Sequence, residues 1–143
     1  MSGYSGTPLA QKLGIREGDR VVVLGDPGTF VDLVAPTLPL AVEIGRRAAG
    51  RAQVVVVHVT RLRDRERRVD ALLRVLDVDG GLWVAWPKRA SGVATDVTED
   101  TVREVFLPLG LVDNKVCAID ETWSGLRVVW RKELRAERRA ARG

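Results

Sequence analysis

A basic loop of small residues follows one of the most apolar segments of the chain. Residues 80–92 read GGLWVAWPKRASG, so two tryptophans and a proline precede Lys88, Arg89, Ser91 and Gly92. Cations beside small residues can bind an anion, because small side chains let backbone N–H groups approach the same ligand. The loop is therefore a candidate binding site for a small anionic or nucleotide-like molecule.

Two further segments carry residues that could complete such a site. The turn GDPG contains Gly25, Asp26 and Gly28 and follows the apolar run DRVVVLG, and the segment DETWSG contains Asp120, Glu121 and Trp123. In open α/β sheets, ligands bind where loops leave the carboxyl ends of parallel strands. We therefore expect these residues to join the basic loop at one edge of a sheet.

The chain offers no recognisable catalytic or metal-binding set. His58 and Cys117 are its only histidine and cysteine, and no tetrahedral site can be built from them without several carboxylates. Asp120 and Glu121 are adjacent, so along a strand they would point to opposite faces and form no acid/base pair. We expect no catalytic residues and no metal, with His58 a hydrogen-bonded residue of the core or its rim, and Cys117 a small buried one.

The net charge of +4 lies entirely in the C-terminal tail. Residues 131–143, RKELRAERRAARG, hold six basic and two acidic residues, which leaves 17 of each sign in residues 1–130. A neutral body attracts polyanions weakly, so nucleic acid could bind only through the tail. No apolar run approaches the roughly 20 residues of a membrane span, and a single cysteine fits a reducing cytoplasm. We expect a cytoplasmic bacterial protein that does not contact membranes.

Apolar runs alternate with helical patterns along the chain. The runs AQVVVVHVT and LWVAW are apolar throughout, as strands covered on both faces must be, and the segment between them has an amphipathic helical pattern. Near the end, KVCAI and GLRVVWRK are joined by a connection short enough for a hairpin. The pattern predicts a three-layer α/β domain, residues 1–131, with a mostly parallel sheet of about six strands and a C-terminal antiparallel hairpin. The polar tail, residues 132–143, is predicted to be frayed or disordered and to contribute little to stability.

The layout of residues 53–131 resembles the second half of a Rossmann-type methyltransferase. The likeness lies in a strand ending VHVT, a helix, the segment DVDGGLWVAW, a helix ending LPLGLVDNKV, and the hairpin. It implies a reduced fold of that type and, as one alternative, a small S-adenosylmethionine-dependent enzyme. Such enzymes use a glycine-rich turn after the first strand, where this chain has GDPG, and an acid near the end of the second, where Glu43 is followed by Arg46 and Arg47.

The whole chain also resembles a family of small bacterial proteins that contain a domain of unknown function. The shared segments are GTPLAQKLGI, LWVAWPKRASGVATD and GLVDNKVCAIDETWSGLR. This resemblance implies no particular activity. Our leading hypothesis is a non-catalytic ligand-binding or interaction module without a cofactor, which a protein partner could also bind. The alternatives are the small methyltransferase and a nucleic-acid-associated protein that binds through its tail.

Overall fold

The computed structural model describes residues 6–142, without the side chains of residues 64–67, and contains one six-stranded sheet flanked by helices. The strands are β1 (Arg20–Leu24), β2 (Glu43–Gly45), β3 (Ala52–His58), β4 (Leu76–Pro87), β5 (Leu111–Ala118) and β6 (Trp123–Trp130). The helices are α1 (Leu9–Leu13), α2 (Phe30–Val34), α3 (Leu62–Val75), α4 (Glu99–Phe106) and α5 (Lys132–Arg142), and 3₁₀ turns span Ala35–Thr37, Arg89–Ser91 and Leu107–Leu109. Within residues 6–142, no helix combines the length and apolarity that a membrane span requires.

The strand order is β2-β1-β3-β4-β6-β5. Strands β1 to β4 pair in parallel, whereas β6 is antiparallel to both of its neighbours. The mostly parallel sheet and the C-terminal hairpin are therefore confirmed, as is the central, adjacent position of β3 and β4. The strand that contains LWVAW is longer than that apolar run, because the preceding segment DVDGG also belongs to β4, which follows α3 directly.

Both faces of the central strands are buried. Trp83 and Trp86 are three residues apart on β4, so they point to opposite faces and join different hydrophobic clusters. Helices α1 and α2 cover the face of Trp83, and α3 and α4 cover that of Trp86. The Trp83 indole also donates a hydrogen bond to the carbonyl of Leu13, 3.0 Å away, which ties the end of α1 to the sheet.

The connection between β2 and β3 is unusually short for two parallel strands. Residues 46–51 alone return the chain to the start of β3, where a helix of a dozen or more residues is the rule. The Arg20 guanidinium holds this segment, because it donates to the carbonyls of Ala49 and Arg51 at 2.7 and 3.1 Å. A three-residue β2 makes the short return possible, since the chain has little distance to retrace.

The tail is helical and contacts the body, so the prediction of a frayed or disordered segment is wrong for residues 132–142. The Arg138 guanidinium lies 3.6 Å from the centroid of the Trp130 ring. Arg142 donates to the carbonyls of Leu73 and Leu76 at 2.8 and 2.7 Å. Helix α5 therefore packs through arginine side chains, and a search for an apolar stripe does not detect that kind of contact.

Deleting residues 132–143 should lower the melting temperature. The cation–π contact and the charge-assisted hydrogen bonds of Arg142 together contribute about 2 kcal/mol. For a chain of this length, such a loss corresponds to a fall of roughly 6–10 °C in thermal denaturation. The exposed Lys132, changed to Ala, is the control and should leave the melting temperature nearly unchanged. A truncated protein within about 2 °C of the full chain would contradict the docking of α5.

Candidate functional site at the carboxyl edge of the sheet

The strand order reverses direction between β1 and β3, so the crevice at their carboxyl ends is the expected ligand position. Gly25 leaves β1 there with a φ of 68°, in the left-handed region. A Cβ at this position would lie 2.6 Å from the carbonyl oxygen of His58, at the end of β3. The exits of the two strands are therefore in direct contact, and only glycine permits this approach.

The turn after β1 is closed by its own carboxylate. One Asp26 oxygen accepts hydrogen bonds from the N–H groups of Gly28, Thr29 and Phe30 at 2.9–3.1 Å, and the other accepts from Val31 at 3.1 Å. Burial by itself would raise the pKa of Asp26, but the backbone donors outweigh it and hold that pKa below 3.8. The carboxylate thus occupies the donors at the start of α2 that an external anion would use.

His58 lies at the centre of the edge, and its position was only partly anticipated. Its side chain is 5% exposed and lies between the rings of Phe30 and Trp123, with both centroids 5.1 Å away. Nδ1 is 3.4 Å from the carbonyl of Leu24, and Nε2 has no hydrogen-bond partner among the described residues. Burial lowers the pKa of His58 below 6.5, and the Leu24 carbonyl and the charges of Asp26 and Asp120 only partly oppose this effect. The imidazole is therefore neutral at pH 7.

The basic loop after β4 is a closed turn. The N–H groups of Ser91 and Gly92 donate to the carbonyls of Lys88 and Arg89, and the Ser91 hydroxyl accepts from Val93. These amides are engaged within the loop, contrary to the expectation that they would be available to a ligand. The Lys88 ammonium donates to the carbonyl of Asp120 at 2.7 Å, while the Arg89 side chain is exposed.

The hairpin residues divide between structural contacts and solvent. Asp120 accepts from the N–H groups of Thr122 and Trp123 at 2.8 and 2.7 Å and so shapes the turn between β5 and β6. Trp123 is 9% exposed and packs in the core beside His58, so its ring closes the hairpin against the core and does not line an open pocket. Glu121 is exposed. The structure thus brings Lys88, Asp120 and Trp123 together, as expected for this edge.

The candidate residues therefore form two groups on either side of His58. Gly25, Asp26 and Gly28 surround the exit of β1, and the second group joins the loop after β4 to the hairpin. The sequence contained one signal that His58 lies between the two groups, because His58 ends the valine run of β3 and the ends of the strands line this edge. The roles of the candidate residues in ligand binding stay a prediction.

Arginines also reach the edge from elements that were not assigned to the site. Arg46 follows β2 and lies 3.8 Å from Asp26, and an Arg68 guanidinium nitrogen lies 3.5 Å from the position that a Gly25 Cβ would take.

Cys117, expected to be buried, is only half-buried on β5, and this burial raises its pKa. The described residues include no group of three or more histidine, cysteine and carboxylate side chains arranged to hold a metal.

The fold is that of S-adenosylmethionine-dependent methyltransferases. The chain is similar to one such enzyme from Aquifex aeolicus, with a TM-score of 0.61, 12% identity, and 84% of this chain and 86% of that chain covered. It is also similar to a Synechocystis PCC 6803 magnesium protoporphyrin IX methyltransferase with bound SAH (TM-score 0.55, 11% identity, coverage 80% and 75%). A third similar structure is the Methanococcus jannaschii fibrillarin pre-rRNA processing protein (TM-score 0.54, 13% identity, coverage 90% and 71%).

At these identities the likeness establishes the fold alone. No protein-family model and no curated protein matches the chain, so the predicted membership of a family with a domain of unknown function is not supported. The coarser prediction, a reduced Rossmann-like fold of the methyltransferase type, is confirmed.

The edge residues of this chain do not fit the cofactor that this fold implies. S-adenosylmethionine carries a carboxylate, and the turn amides that could receive it already bond to Asp26. The sugar hydroxyls of a nucleoside are usually bound by an acid at the end of the second strand, where this chain has Arg46. Glu43, the expected acid, is exposed at the start of β2 instead.

Replacing Asp26 with Ala should destabilise the protein by about 1–2 kcal/mol at pH 7, because α2 loses its N-terminal acceptor. The pKa of Asp26 is depressed in the folded state, so its contribution is complete above pH ~4 and disappears as the pH falls through the lowered value. Urea denaturation of both proteins between pH 2 and 7 measures this difference. Asp32→Ala, an exposed change in the same helix, is the control. A difference that persists undiminished at pH 2 would rule out this role of the carboxylate.

The single histidine should titrate below its ordinary range in the folded protein. Burial lowers the pKa of His58 below 6.5, so stability is complete above pH ~6.5 and declines as the pH falls towards the lowered value. NMR of the imidazole signals reports the pKa directly, because the chain has one histidine. His58→Phe should keep the aromatic packing and remove the loss of stability between pH 6.5 and 5. A measured pKa at or above 6.5 would contradict the buried, neutral state.

Proposed function

We propose that this protein is a non-catalytic ligand-binding module that retains a methyltransferase-like sheet without the cofactor site. The observation that carries the proposal is the Asp26 carboxylate on four backbone N–H groups. A cofactor carboxylate would have to displace the hydrogen bonds that Asp26 of the same chain accepts from the start of the helix. This intramolecular anion has a large entropic advantage over a free one, because it is held beside its donors.

The packing of the crevice supports the same proposal. The rings of Phe30, His58 and Trp123 contact one another at the carboxyl edge and leave the histidine 5% exposed. A buried imidazole cannot reach a substrate to accept a proton, and geometry is the first requirement of a general base. The other buried titratable side chain described at this edge, Asp26 at 8% exposed, is already bonded to backbone N–H groups.

The ligand proposed for this edge is a small anionic or nucleotide-like molecule bound from the solvent side. Asp26 and Asp120 are bonded to backbone N–H groups, whereas Arg46, Arg89 and Glu121 are exposed. Two of these three exposed charges are positive, which favours an anion. Lys88, which is half-buried beside the exposed Arg89, would add its positive charge to the attraction of the anion.

A small S-adenosylmethionine-dependent methyltransferase is the second candidate. The observation that favours it is the strand order with a single antiparallel strand, in a chain similar along most of its length to structures of such enzymes. For this activity, the turn would have to open and release Asp26 when the cofactor binds. The third candidate, nucleic-acid binding through a free tail, is weakened by the contacts that Arg138 and Arg142 make with the body.

Isothermal titration calorimetry with S-adenosylmethionine and S-adenosylhomocysteine separates the first two candidates. We expect no heat of binding from either compound up to about 1 mM, whereas a methyltransferase of the same fold, titrated in parallel, binds both. Binding at micromolar concentrations would overturn the proposal and establish the second candidate. Asp26→Asn is the informative variant, since weaker competition for the turn amides should then strengthen any cofactor binding that exists.

A further inference from the structure

A groove of about 620 Å³ lies on the side of the molecule where α5 docks. Its cationic lining consists of Arg51, Arg74, Arg138 and Arg142, and its apolar surface of Leu73, Leu109 and Trp130. We call this feature the arginine groove. Its volume is in the range of pockets that bind small organic ligands.

The arginine groove lies at the amino edge of the sheet, away from the loops discussed above. Arg51 immediately precedes β3, and Arg74 lies at the end of α3, where the chain returns to the start of β4. Trp130 ends β6, and because β6 is antiparallel, its last residue lies at the same edge as the first residues of its neighbour β4. A ligand here would share no residue with the carboxyl edge.

The charge of the groove is strongly unbalanced. Asp70 is the one carboxylate among its lining residues, against four guanidinium groups. Burial lowers the pKa of Arg142, and the charges of Arg51 and Arg138 lower it further. The guanidinium groups of Arg51 and Arg74 form no ion pair or hydrogen bond with any described residue. Mutual repulsion of this kind is relieved when an anion binds.

Two buried donors beside the groove have no acceptor in the described part of the chain. They are Nε1 of Trp130, a side chain that is only 2% exposed, and Nε of Arg138. Both nitrogens are shielded from solvent, so a ligand in the groove would meet the exposed guanidinium groups of Arg51 and Arg74 instead. These reachable groups only donate hydrogen bonds, which selects an acceptor such as phosphate.

We propose that the arginine groove binds a small organic phosphate of nucleotide size. Arg51 and Arg74 would hold its phosphate groups, and a ring would pack on the apolar surface beside Trp130. Inorganic phosphate would leave most of the volume unfilled. This site goes beyond the function proposed above, from which it differs in residues and position.

The test uses the full chain, with ADP as the probe and with adenosine and inorganic phosphate as comparisons, in calorimetry at low and at physiological salt. We expect ADP to bind, phosphate to bind more weakly, and adenosine not to bind. The double variant Arg51→Ala/Arg74→Ala should weaken ADP binding at least about 100-fold, a factor of ten for each arginine, at an unchanged melting temperature.

The matched control is Arg61→Ala/Arg63→Ala, which removes the same charge at the other end of α3 and should keep ADP binding. Equal loss in this control, or full binding by the Arg51/Arg74 variant, would overturn the proposal. So would phosphate that binds as tightly as ADP, an oligonucleotide that binds where ADP does not, or no binding at all. Loss confined to Lys88→Ala/Arg89→Ala would place the ligand at the carboxyl edge and overturn the arginine groove as its site.

Discussion

Strands β3 and β4 are buried on both faces, and this burial requires helices above and below the sheet. Trp83 and Trp86 anchor the two layers from opposite sides of one strand. Helices can be supplied to both faces only if the chain crosses over between parallel strands, so the carboxyl ends of the first four strands meet at one edge. The position of every loop in the candidate site follows from this coverage.

The carboxyl edge uses its polar groups to stabilise the fold. Asp26 holds the start of α2, Asp120 shapes the hairpin, and Asp96 accepts from the N–H group of Leu62 at the start of α3. In each case a carboxylate takes backbone donors that a ligand could otherwise use. With a three-residue β2 and a six-residue return to β3, the protein has the sheet of a methyltransferase in a reduced form.

The amino edge has the opposite character. There the arginines outnumber the carboxylates, and Trp130 Nε1 and Arg138 Nε lack acceptors among the described residues. Helix α5 depends on these arginines to dock, because it has no buried residue of its own. The same side chains therefore hold the helix and concentrate positive charge. Under the proposal, an anion bound there would relieve the repulsion among them.

The amino-acid sequence by itself determined the layers, the parallel centre and the hairpin, because apolar runs such as VVVVHV and LWVAW must be covered on both faces of a sheet. It also indicated which loops meet at the carboxyl edge. Tertiary structure decided how the polar groups there are used: Asp26 and Asp120 turned to backbone donors, and His58 became enclosed by two rings. The docking of α5 was likewise decided in three dimensions. Arginine contacts with carbonyls and an aromatic face depend on side-chain geometry and leave no periodic apolar pattern in the sequence.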